Sequence, residues 1–131
     1  MRWRQAQDQR RSEYANAFAA AMRWAEFPYR VARRLGNEAE HVQPIVDAFH
    51  ETQERIHFHM HWLRSASPRV ARAYEALVSQ VKAQASPLIE QAWASPPVIV
   101  PDGMNLAGKY DVDVCDVSEA FLQAVRVELC S

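Results

Sequence analysis

Residues 44–63, PIVDAFHETQERIHFHMHWL, are followed after Arg64-Ser65-Ala66 by residues 67–85, SPRVARAYEALVSQVKAQA. In the first stretch Val42, Ile45, Phe49, Thr52, Ile56, His59 with Met60, and Leu63 recur at three- and four-residue steps. That spacing aligns them along one side of a helix for three heptads, about 30 Å of length. The second stretch repeats the pattern with Val70, Ala73 with Tyr74, Leu77, Val81, Gln84 and Leu88. Ser67-Pro68 between them is a restart signal, a serine N-cap with proline as the first helical residue. Two long amphipathic helices this close in sequence fold back on each other, so the chain is organised around a helical hairpin over about 44–93.

The flanks follow from the same grammar. Upstream, Tyr14, Ala17 with Phe18, Ala21, Trp24 with Ala25, then Val31 and Leu35 predict a helix with arginines on its other face. The small residues of ANAFAAAM favour helix and let a neighbouring helix come close. Pro28 predicts a kink or break near Trp24–Phe27, and Gly36 a left-handed C-terminal stop. Asn37 to Glu40 reads as a capping box before a long helix starting near Val42. Ser86-Pro87 predicts a kink or a restart, and Ser95-Pro96-Pro97 a firm end. An irregular segment over 95–115 includes Val98-Ile99-Val100 and the alternating Tyr110 to Val114, both extended in pattern, around the turn residues Pro101-Asp102-Gly103. A final helix over about 117–129, capped by Asp116 or Ser118, turns Phe121, Leu122, Val125 and Leu129 to one side. The expected fold is mainly α, a hairpin or bundle of three to four helices with a short irregular or β-like segment before the last.

With 131 residues, 49% of them hydrophobic, the chain suits one domain spanning 1–131 with its own core. A net charge of −1 gives no global attraction to nucleic acid, which is therefore not an expected partner. The charges are segregated: residues 1–35 hold eight arginines against three acids, a net of +5, and residues 99–131 sum to −4. Such halves attract each other, within a chain or between two chains. Cys115 and Cys130 lack CxxC spacing, no secretory leader precedes the helices, and no window approaches the roughly 20 apolar residues of a membrane span. The expectation is a cytoplasmic protein with reduced thiols.

The stretch AFHETQERIHFHMHWLRSASPRVARAYEALV, with the helix over 14–25 before it and FLQAVRVEL after it, resembles a loose group of small uncharacterised helical-hairpin proteins of actinobacteria and their phages. That resemblance implies the helical fold and a phage-related setting. It implies no activity and no catalytic residue.

Chemistry concentrates on the first hairpin helix. His50, Glu54, His57 and His61 fall at i, i+4, i+7 and i+11 along one side, with Asp47 a turn earlier. Glu54-x-x-His57 has the ligand spacing of di-metal carboxylate bundles, and His57-x-x-x-His61 that of a two-histidine chelate. Those bundles draw ligands from four helices, and no second Glu-x-x-His occurs here. The favoured reading is thus a polar or interface face with no cofactor; the alternative is a divalent transition-metal site in a metal-binding protein or metal-dependent enzyme. His59, on the apolar side, reads as a core histidine. The basic, aromatic start MRWRQAQDQRR reads as a solvated helix end, and Asp111-x-Asp113-x-x-Asp116 lacks the ligands of a calcium loop. The function expected is a small non-enzymatic interaction or regulatory protein, a homodimer or the binder of a protein partner, with Trp24, Phe58 and Trp62 as interaction candidates.

Overall fold

The hairpin closes on a single residue. A computed structural model describes residues 2–98, 106 and 108–130, and in it α3 (Ala39–Ala66) and α4 (Pro68–Ala94) meet at Ser67. The Ser67 amide donates to the Leu63 carbonyl at 2.7 Å, ending α3. Its hydroxyl accepts from the Val70 amide and its carbonyl from the Ala71 amide, starting α4. Arg64-Ser65-Ala66 thus complete α3 rather than forming the connection. Serine does both tasks because its extended backbone breaks the helix while its short side chain replaces the lost partner.

Two helices precede the hairpin and one follows. The first helix, α1 (Arg2–Ala25), lies against both α3 and α4. Pro28 breaks the run where the sequence places the break. α1 stops at Ala25 and α2 (Phe27–Ala32) starts with Pro28 in its first turn, where no amide donor is needed. The last helix, α5 (Cys115–Cys130), rests on α4 and α1 and makes no contact with α3. All five elements are helical, and no strand forms among the described residues.

The expected stripes meet in a core of Tyr14, Ala17, Ala21, Trp24, Ile56, Leu63, Tyr74, Leu77, Val81 and Phe121. The alanines of α1 allow Tyr74 to place its hydroxyl on the Ala17 carbonyl at 2.7 Å. Burial raises the Tyr74 pKa, so that group stays a neutral donor. A second core joins α2 to the adjoining parts of α3 and α4 through Phe27, Val31, Ile45, Ala92 and Tyr110. Phe49 and Ile89 touch both cores.

Several local expectations are corrected. Gly36 has no positive φ; the Glu38 carboxylate and the His41 ring fold close over its Cα, so a Cβ there would have to displace those two side chains. Asn37 caps nothing: its side-chain oxygen accepts from Arg34 Nε at 2.9 Å, and α3 starts at Ala39 behind Glu38. Pro44 and Pro87 both lie inside continuous helices, on exposed surface where a missing amide donor costs least. Leu35 is 59% and Leu122 39% exposed, although both continue apolar stripes. α5 begins at Cys115, with the Val114 carbonyl accepting from the Ser118 amide in its first turn, so Asp116 and Ser118 lie inside the helix; the Asp113 carboxylate, one residue outside, accepts from the Cys115 amide at 3.3 Å.

Residues 110–114 form no strand. Asp113 instead pairs its backbone with the Gln84 side-chain amide, which donates to the Asp113 carbonyl and accepts from the Asp113 amide at 2.7 Å. A carboxamide presents the same donor–acceptor pair as a neighbouring strand, so one glutamine replaces a two-residue ladder. Residues 99–105, including the apolar pair Ile99-Val100 and the turn Pro101-Asp102-Gly103, lie outside the described residues.

Arg34 is the unexpected member of the interior, at 4% exposure. Nη1 donates to the carbonyls of Val31 and Ala92, and Nη2 to those of Trp93 and Ser95. The guanidinium carbon sits 5.0 Å from the Trp93 ring centre.

Two substitutions test this architecture in chemical denaturation. Ile56→Ala leaves a cavity between α3 and its neighbours and is expected to cost about 2–4 kcal/mol. Arg34→Ala strands buried carbonyls at two helix ends and is expected to cost on the order of 3 kcal/mol, with Arg34→Lys recovering little of it. A loss below about half a kilocalorie in either alanine variant contradicts the packing described.

Candidate functional site

The histidine face of α3 points outward. His50, Glu54, His57 and His61 are all exposed, as is Asp47, whose carboxylate accepts from Gln43 Nε2 at 2.8 Å. The helix aligns these residues as their spacing requires, but among the described residues no other element brings a ligand to them. Among the described residues no three His, Cys, Asp or Glu side chains gather where they could hold a metal ion. Glu75 lies instead at the hairpin corner, where its carboxylate accepts from Arg64 at 2.6 Å. Both cysteines are exposed and unpaired, at opposite ends of α5. The acidic run before α5 is spent on local structure: Asp111 accepts from the Tyr29 hydroxyl and Asp113 from the Cys115 amide.

The three aromatic interaction candidates separate. Trp24 is buried at 4% exposure, its ring 4.6 Å from that of Phe49, so it supports the core instead of a contact surface. Trp62 is half-buried and meets Tyr14 edge-on. Phe58 alone stands out, 65% exposed on the flank of α3 that faces α1.

That flank borders a groove of about 390 Å³ between α1 and α3. From α1 come Asn16, Ala19, Ala20 and Arg23; from α3 come Thr52, Arg55, Phe58 and His59. Each feature has a local cause. The alanines at 19 and 20 leave the groove without side-chain filling from α1. Thr52 turns its hydroxyl onto the Ala48 carbonyl at 2.8 Å, which satisfies the hydroxyl within its own helix. Arg55 holds Glu51 at 2.8 Å along its own helix, an exposed pair of small energetic weight. Arg23 has no ionic partner among the described residues.

His59 is half-buried at the groove wall, not in the closed core that its apolar neighbours suggest. Burial and then the Arg55 guanidinium lower its pKa, with Glu13 opposing, so the ring is neutral at neutral pH. The groove thus offers two guanidinium groups, a neutral imidazole and a carboxamide around an exposed phenyl ring and a floor of alanine. Guanidinium groups bind carboxylates through paired hydrogen bonds, and the phenyl ring supplies apolar area beside them. This is chemistry for an acidic, amphipathic partner.

Sequence periodicity marked Phe58 and His59 but not Arg23, Arg55 or Asn16. The available signal was the alanine pair opposite an aromatic, which has meaning only once α1 is known to lie on α3. A second pocket, of about 90 Å³, is lined by Phe27, Val31, Ile45, Val46, Phe49, Ile89 and Trp93. It offers only side chains without a charge and lies where the two cores join.

No helix among the described residues is long and apolar enough to cross a membrane. Comparison with protein-family models, curated proteins and solved structures finds no match to this chain.

Two exposed histidines one turn apart chelate transition metals weakly with no further ligands. Untagged protein is therefore expected to purify without stoichiometric metal by elemental analysis. Chelator should leave its unfolding midpoint unchanged, and His57→Ala should match wild type. Tight metal lost on Glu54→Ala or His61→Ala would make the array a genuine centre.

Proposed function

We propose that this chain is a small non-enzymatic interaction or regulatory protein of the cytoplasm, phage-related as its resemblance implies, which works through its helical surfaces. Its partner is a second copy or another protein. The observation carrying this reading is Phe58, a large aromatic left 65% exposed beside an alanine-floored groove with arginine on both walls. Exposed aromatics next to arginine are where binding energy concentrates in protein interfaces, because both shed water over a large area when covered. The net charge of −1 supports a protein partner over nucleic acid.

The reading predicts concentration-dependent association. Sedimentation at micromolar concentration should show a species above monomer, and the unfolding midpoint should rise with concentration. Phe58→Asp should reduce that association without changing the far-ultraviolet circular dichroism. Association unaffected by Phe58→Asp would remove the groove from the interaction; a monomer at every concentration would direct the reading to a different protein as partner.

A further inference from the structure

We infer that the groove between α1 and α3 receives the outer face of α5 from a second copy, so that copies associate head to tail. This rests on the interaction reading above and names its partner.

The outer face of α5 carries exposed Glu119 and, one turn on, Leu122 at 39% exposure, with Asp116 one turn before. Glu119 has no ionic partner among the described residues. On α3, Arg55 and Phe58 stand at the same spacing, a base followed by an apolar group at i+3, with Arg23 across the groove. Residues three apart are neighbours on a helix face, so an acid–apolar pair and a base–apolar pair can meet in one register. Glu119 then faces Arg23 and Arg55, and Leu122 covers Phe58. Glu51 already engages Arg55, which leaves Arg23 as the groove's cation without an ionic partner among the described residues.

Neither half of this match can be satisfied within one molecule. α5 packs on α1 and α4 and has no contact with α3. Among the described residues the basic and acidic segments form the ion pair Arg10–Glu128, 3.5 Å apart, while exposed Arg23 and Glu119 have no ionic partner. A two-fold dimer through the groove would set Arg23 and Arg55 against their own copies, and like charges facing each other oppose association. A contact between two different faces is heterologous, so it propagates or closes into a ring. One 16-residue helix, about 24 Å long, laid in a groove covers an area at the small end of stable interfaces. Association in the micromolar range, weakened by salt, follows.

The test uses the full chain in two charge-altered forms, a groove variant Arg23→Ala/Arg55→Ala and an α5 variant Glu119→Lys/Leu122→Ser. Wild type should grow beyond dimer as concentration rises, by sedimentation velocity. Each variant alone should be monomeric, its self-affinity reduced about tenfold or more. Mixed, the two should form a 1:1 heterodimer that grows no further, because the groove of one and the α5 of the other remain intact. Should the α5 double variant lose helical signal, Glu119→Lys alone is read in the same way. Wild type that remains monomeric to about 100 µM overturns the self-docking. Association that Phe58→Asp abolishes while the α5 variant leaves it intact also overturns it, and keeps the groove as the interaction face. Association indifferent to Phe58→Asp removes the groove, and with it this docking, while self-association itself stands.

Discussion

The arrangement depends on a buried cation placed between two helix ends. All five N–H donors of Arg34 are used: four go to the carbonyls of Val31, Ala92, Trp93 and Ser95, and one to Asn37. Val31 lies in the last turn of α2 and Ala92 and Trp93 in the last turn of α4. Helix C-termini carry partial negative charge and unsatisfied carbonyls, so one guanidinium supplies what two helices lack. No carboxylate takes part. The planar fork reaches both ends at once, which an ammonium cannot do. The Arg34 carbonyl also accepts from the Val98 amide at 2.9 Å, so the chain leaving α4 is tied to the same residue.

From that clamp the second core follows. With α2 held against the end of α4, Phe27 and Val31 close over Ile45, Ala92 and Tyr110. Tyr29, beside them, accepts from the Tyr110 amide at 3.2 Å and donates to the Asp111 carboxylate. The bond to Asp111 raises the Tyr29 pKa, keeping the hydroxyl a donor. Gln84 then fixes Asp113, whose carboxylate accepts from the first amide of α5. The last helix is thus positioned by a relay of side chains acting on backbone groups, not by a sheet.

The groove arises from a different property of the same bundle. α1 lies on α3 with alanines where larger residues would fill the seam, so the two helices leave an open channel. Its charge comes from Arg55, engaged by Glu51 of its own helix, and from Arg23, which has no ionic partner among the described residues.

Periodicity alone determined the long hairpin, the break at Pro28 and the membership of Ile56, Leu63, Tyr74, Leu77 and Phe121 in the core, because apolar spacing dictates which face a helix must bury. It also aligned His50, Glu54, His57 and His61, since their alignment is a property of one helix. Whether a second element would complete a site around them is a matter of neighbours, and only the tertiary structure showed that face open. The same limit applies to Arg34, which is one arginine among eight in the first 35 residues until α4 ends beside it. Trp24 and Phe58 differ in burial for that reason too, one covered by α3 and the other left beside the alanines of α1. Local pattern specifies what a segment can bury; the packing of segments far apart in sequence decides what is buried, what is satisfied and what is left to meet a partner.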